Sequence, residues 1–183
     1  IRHLAEEILQ DPAWVQVDHE QPLENIAQCL YPVQRIPKSE MLVTLLTQKK
    51  DQATLIFTRT KHMATKLAKR LSSAGLRAKD LQGNMSQNNR RRVLQDFKQG
   101  GFNILVATDV ASRGIDVTRI AHVINYDMPD TAENYTHRIG RTGRASRDGL
   151  ASSFVESKDF RLVKAIERNQ DRRLQRKSLS MSA

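Results

Sequence analysis

Asn103-Ile-Leu-Val-Ala-Thr-Asp-Val-Ala-Ser-Arg-Gly-Ile-Asp-Val117 is the stretch that decides the fold. Asn103 to Ala107 is too short for a helix and apolar without alternation, so it reads as a strand buried on both faces. Its carboxyl end delivers Thr108 and Asp109, followed by a loop with Arg113, Gly114 and Asp116. A carboxylate just beyond such a strand can hold a metal, a ribose hydroxyl or an arginine. It can equally cap the next turn or, for Asp116, form an ion pair.

The same pattern repeats outward from this segment. Ile26 to Val33, Thr54 to Phe57, Arg77 to Leu81, His122 to Asn125 and Ala151 to Glu156 read as further strands, the last of them closing the series. Amphipathic spacing predicts helices over Ser39–Gln48, Lys61–Ala74, Ser86–Lys98 and Thr131–Arg138, and a basic helix from near Lys158. Gly75 and the Gly100-Gly101 pair stop two of these helices. Strands alternating with helices predict an α/β fold of the doubly wound kind, a mostly parallel sheet with helices on both faces. Ligands of such sheets meet the loops at the carboxyl ends of the strands, where the chemically distinctive residues of this chain cluster. Ahead of the repeat, residues 1–10 have helical spacing, Trp14 to Val17 reads as a short strand, and residues 18–25 as a linker. The expected division is 1–25 for these leading segments, 26–160 for the α/β domain, and 161–183 for a basic helix and tail.

Thirty Lys and Arg stand against twenty Asp and Glu, a formal charge of +10, which favours an anionic partner. Aromatic residues make up 5% of the chain, too few for a surface that stacks bases, so phosphate contacts would have to dominate. Cys29 is the only cysteine, which excludes an internal disulfide and a zinc framework; its apolar neighbours predict a packed thiol. No apolar run reaches the length of a membrane span and no signal peptide is visible, so a cytoplasmic, reducing setting without membrane contact is expected.

Four basic constellations follow. His137-Arg-Ile-Gly-Arg-Thr-Gly-Arg144 places three arginines at three-residue spacing beside Gly140 and Gly143, a pattern suited to gripping phosphate. Arg90, Arg91 and Arg92 lie early in a helix, where the dipole prefers acids, so they point to an external anion; at least one is expected to be solvated surface. Thr58, Arg59, Thr60 and Lys61 end a strand, where hydroxyls and cations can hold phosphate, although Thr60 also suits a helix cap. Arg161 to Lys177 is rich in cations, with Leu162, Ala165 and Ile166 forming one apolar side that should pack on the domain.

Taken in order, these blocks resemble the second RecA-like domain of a DEAD-box RNA helicase. Residues 55–60 (LIFTRT) resemble motif IV of that family. Gln87, Arg90, Leu94 and Phe97 match its QxxR pattern, residues 107–116 (ATDVASRGID) resemble motif V, and residues 137–144 (HRIGRTGR) match motif VI. Residues 57–62 look most like the bacterial RhlE-type branch. The resemblance implies that Arg141 and Arg144 reach the γ-phosphate of ATP across a cleft, with Arg141 as the arginine finger. It further implies that Asp116 holds the ribose, that Gly114 lets the backbone approach, and that His137 couples the nucleotide site to the facing domain. Arg138 would support the site structurally. Arg59, Thr60, Gly83, Arg90 and Thr108 would hold the sugar-phosphate backbone of RNA. Gln82, Asn84 and Ser112 depart from the usual histidine, aspartate and alanine.

The sequence holds no GxxxxGK[ST] phosphate loop and no Asp-Glu-Ala-Asp run. By the resemblance, ATP with Mg2+ would be held mainly by an N-terminal RecA-like domain, of which residues 1–10 are expected to be the last helix. The intact protein is then expected to be an RNA-stimulated ATPase and this chain alone to be inactive. The residues also leave open a stand-alone nucleic-acid-binding or scaffold module, and a DNA helicase of the same superfamily.

Overall fold

The computed structural model describes residues 23–49, 51–112, 115–144 and 147–179. The expected helix over residues 1–10, the strand at Trp14 to Val17 and most of the linker lie outside the described residues, as does Gly114. Among the described residues, β1 (Ile26–Pro32) leads to α1 (Lys38–Thr47), β2 (Thr54–Phe57) to α2 (Lys61–Ser73), and β3 (Ala78–Leu81) to α3 (Gln87–Gln99). β4 (Ile104–Ala107) runs into the single-turn α4 (Asp109–Ser112). Then come β5 (His122–Asn125), α5 (Ala132–Ile139), β6 (Gly149–Val155), α6 (Phe160–Asn169) and β7 (Gln175–Arg176). All seven strands are parallel, in the order β3-β4-β2-β5-β6-β1-β7. The fold is the RecA-like α/β architecture expected.

The two faces follow from the period of two along each strand. Cys29, Tyr31, Ile56, Val106, Ile124 and Phe154 face one way and pack against Leu42, Leu45 and Leu46 of α1 and Leu67 and Leu71 of α2. Their strand neighbours face the other way in two groups. Leu55, Phe57, Leu105 and Val123 meet Phe97 of α3 and the loop residues Ile115, Val117 and Ile120. Ile26, Leu30, Ala151 and Val155 meet Tyr135 and Ile139 of α5 and Val163 and Ile166 of α6. The basic helix therefore contributes to the core, through Val163 and Ile166 with Leu162 partly buried. Cys29 is buried, as its neighbours indicated.

The helices start where hydroxyls cap them. Thr60, Ser86 and Thr131 accept hydrogen bonds from the backbone N–H groups of Met63, Asn89 and Asn134. Gly100 ends α3 with φ of 85°, a left-handed turn that favours glycine. Two elements were not read from the sequence. Ala151 to Glu156 is not the last strand, since β7 adds to the free side of β1, with the Lys177 N–H donating to the Leu30 carbonyl. Two polar residues carry no apolar alternation, so nothing in the pattern marks them. α4 was likewise hidden, because a single turn has no amphipathic period to display.

Candidate functional site

The carboxyl ends of β2, β4 and β5 are adjacent, and the polar residues that follow them form one edge. Thr58 is buried and its backbone N–H donates to the Ala107 carbonyl, locking the exit of β2 to that of β4. The Arg59 N–H donates to Asp127 Oδ2 at 3.0 Å, and its side chain reaches the Met128 carbonyl and, at 3.9 Å, Asp130. Thr60 uses its oxygen as the cap of α2, which leaves its hydroxyl proton for another partner. Asp127 also takes Lys38 at 3.1 Å, and Lys38 continues to Glu156 at 2.8 Å. Hydrogen bonds from Lys158 and Lys38 hold the Glu156 carboxyl down at about 2.

Arg138 is the hinge pin of this edge. It lies on the inward side of α5, 4% exposed, with its guanidinium 4.9 Å above the ring of Phe57. Nε and Nη2 donate to the two carboxylate oxygens of Asp109, each at 2.7 Å. Nη1 donates to Asn125 Oδ1 at 3.0 Å and to the Asp127 carbonyl at 2.7 Å. One side chain thus joins the ends of β2, β4 and β5 to α5 and fixes the loop that follows α5. Asp109 holds an arginine, one of the possibilities open in the sequence, and does not cap the next turn. Asn125 and Asp127 escaped the sequence reading. Their signal was the one used for Thr108 and Asp109: polar residues just past a short apolar strand.

With α5 pinned, Arg141 and Arg144 both come to the segment after β4. Arg141 Nη1 donates to the Ile115 carbonyl at 3.1 Å. Arg144 Nε donates to the Gly140 carbonyl at 3.0 Å and Nη1 to Asp116 Oδ1 at 2.9 Å. Burial and then the neighbouring Arg144 pull the Arg141 guanidinium below its ordinary value, with Asp116 opposing them. Two guanidinium groups held together against one carboxylate form a site that a further anion would stabilise. Asp116 is largely exposed, so its second oxygen is open to a hydroxyl donor. Gly143 makes the turn between the arginines, with φ of 68°.

His137 lies exposed on α5 near these groups. Arg90 is half-buried, and its Nη2 donates to the Ala111 carbonyl at 2.6 Å, which ties α3 to α4. Thr108 is half-buried at the end of β4, and Gly83 is exposed beyond β3. Gly83 has an ordinary φ, and a Cβ there would meet nothing within 4 Å, so the chain's own packing does not require glycine. Among the described residues no group of three or more His, Cys, Asp or Glu comes together to hold a metal, and no helix is long and apolar enough to cross a membrane.

The helicase conserved C-terminal domain family matches residues 37–146, from the start of α1 past Arg144. The chain superposes on the crystal structure of the E. coli DEAD-box protein SrmB bound to the regulator of ribonuclease activity A. The TM-score is 0.79 at 37% identity, over 84% of this chain and 91% of that one. The chain belongs to the DEAD-box helicases, as their C-terminal domain. A curated DEAD-box relative, the ATP-dependent RNA helicase CshA of Geobacillus kaustophilus (strain HTA426), is 40% identical over 96% of this chain. That match takes in 38% of CshA, so the chain spans little more than a third of the length of this relative. S. cerevisiae Dbp5 bound to RNA and ADP BeF3 gives a TM-score of 0.82 at 32% identity, over 97% of this chain and 48% of Dbp5. CshA of Bacillus subtilis (strain 168) is likewise 37% identical over 96% of this chain, so the resemblance is to CshA-type relatives and not specifically to the RhlE type that residues 57–62 suggested.

Proposed function

We propose that this chain is the C-terminal half of an ATP-dependent RNA helicase, supplying arginine fingers and RNA-backbone contacts for the unwinding of short RNA duplexes. The observation that carries this reading is the placement of Arg141 and Arg144 together at the carboxyl edge of the sheet. They stand beside the exposed Asp116 and on a turn fixed by the buried Arg138. The donor set fits polyphosphate: two guanidinium groups for the phosphate oxygens, and a carboxylate oxygen for a ribose hydroxyl. Arg141 is the finger that stabilises the transferring phosphoryl group, and Arg144 is its partner. Gly114 lets the backbone approach the nucleotide, and His137, exposed on the same helix as Arg138, couples the site to the facing domain.

The other wall of the site belongs in this reading to an N-terminal RecA-like domain, which holds the phosphates and Mg2+. ATP brings the two domains together, and hydrolysis releases them. Arg59, Thr60, Gly83, Arg90 and Thr108 contact the RNA sugar-phosphate backbone, which makes binding independent of base sequence. All five lie at or just beyond the ends of β2, β3 and β4 or at the start of α3, along one rim. The complex of Dbp5 with RNA and ADP BeF3 supports the pairing of these two ligands in a relative.

The test compares ATP hydrolysis by this chain and by the natural longer protein, with RNA and with DNA of matched sequence. The longer protein turns ATP over when RNA is added, DNA stimulates less because it lacks the 2′-hydroxyl, and this chain alone turns over none. Helicase-like hydrolysis by this chain alone refutes the shared site, and equal stimulation by DNA refutes the RNA assignment.

A further inference from the structure

Two segments of this chain are strongly positive. Residues 161–177 carry seven Lys and Arg against two Asp and Glu, and residues 61–101 carry ten against two, a net +8 on one edge of the sheet. Residues 61–101 form α2, β3 and α3. β3 is an outer strand of the sheet. α2 packs on one face and α3 on the other, so the open edge of β3 runs between two basic helices.

That edge is a groove. A depression of about 560 Å3 is lined by Lys69 and Ser73 of α2, Lys79 of β3, Met85 of the loop before α3, and Val93 of α3. A second, of about 600 Å3, continues from Lys79 and Val93 to Arg92 and Gln95. Both acids are already engaged: Asp96 pairs with Lys79 at 2.6 Å, and Asp80 takes the Thr65 hydroxyl at 2.7 Å. Lys69 and Arg92 are exposed on opposite walls and have no salt bridge among the described residues. Cations on an outer strand deter pairing with another sheet, but that purpose needs charge on the strand alone. Here the excess sits on both flanking helices.

The groove opens at Met85, two residues past Gly83, where the proposed RNA rim passes. We propose that the groove across the open edge of β3 carries the RNA strand onward from that rim, with Lys69, Lys79 and Arg92 contacting its phosphates. The inference rests on the RNA-backbone reading of Gly83 and Arg90 and extends it to a longer strand. The groove is lined by cations, hydroxyl and amide side chains, by small and aliphatic residues such as Ala68, Met85 and Val93, and by the engaged Asp80 and Asp96; no aromatic residue lines it, so it reads phosphate spacing and not bases.

The test measures binding of fluorescent oligouridylates of about six and about twenty residues, and of polyglutamate, to the whole chain across a salt series. The double variant Lys69→Gln/Arg92→Gln should bind the long strand roughly five- to twenty-fold more weakly. Its dependence of log Kd on log salt should be shallower by about 1.4, because two phosphate contacts are lost. Binding of the short strand should not change, and Lys69→Arg/Arg92→Lys should restore the long-strand affinity. Arg90→Ala should weaken both lengths, which reads the rim separately. Wild-type affinity and salt slope of the double variant for the long strand would overturn the groove and leave the rim standing. A loss confined to polyglutamate would overturn it in favour of an acidic protein partner, and failure of the wild-type chain to bind either strand would remove both readings.

Discussion

Arg138 grips Asp109 through two parallel hydrogen bonds of 2.7 Å, from a guanidinium that is 4% exposed to a carboxylate that is half-exposed. The asymmetry separates two substitutions. Arg138→Ala abandons Asn125 and the Asp127 carbonyl as well as Asp109, and empties the space above Phe57. It should destabilise the domain by about 3–5 kcal/mol. Asp109→Asn leaves its partner with the other acceptors and water at hand, and should cost about 1–2 kcal/mol. Urea unfolding measures both; equal costs would mean that Arg138 is not the buried anchor described.

Two glycines in the site differ in what they answer to. Gly143 has φ of 68°, and a Cβ there would lie 2.7 Å from Ile26 Cγ1. Gly143→Ala should lower stability by roughly 1–3 kcal/mol. Gly83→Ala meets open space at an ordinary φ, so stability should stay within about 0.5 kcal/mol while RNA affinity falls several-fold. Thermal unfolding and RNA titration together distinguish them. A Gly83→Ala protein with native RNA affinity would take Gly83 out of the interface.

His122 sits fully buried at the start of β5, 2.8 Å from Ser152 Oγ, with Nδ1 lacking a hydrogen-bond partner. Burial, reinforced by Lys49, pushes its pKa down to about 3. The unfolded chain protonates this ring below about pH 6.5 while the folded chain does not, so stability is complete above 6.5 and falls as the pH drops toward 3. Between pH 7.5 and 5 this group alone removes about 2 kcal/mol. Urea titrations at the two pH values should show that loss in the wild type and a much smaller one in His122→Asn. An equal loss in both proteins would assign the pH dependence elsewhere.

Much of the sheet was legible because its strands are short, apolar and separated by helices with clear caps. Thr54-Leu-Ile-Phe57 and His122-Val-Ile-Asn125 were delimited to the residue. The apolar rule was blind to β7, which is held by pairing with β1 and by the Lys177 hydrogen bond and not by side-chain pattern. Arg138, Arg141 and Arg144 could be picked out from residue type and spacing. Their arrangement could not, because it depends on Asp109, Asn125 and Asp127 converging on Arg138 from the ends of separate strands. A sequence gives the polar residues after each strand; only the strand order says which of them meet.

In the proposed site Arg141 acts on a phosphate held by another domain. RNA-stimulated ATP hydrolysis by the natural longer protein, measured for wild type and Arg141→Ala beside RNA affinity, tests it most directly. For Arg141→Ala, kcat should fall by about 10³–10⁵ with RNA affinity changed by less than about threefold. Hydrolysis close to wild type, or equal losses in hydrolysis and RNA binding, would contradict it.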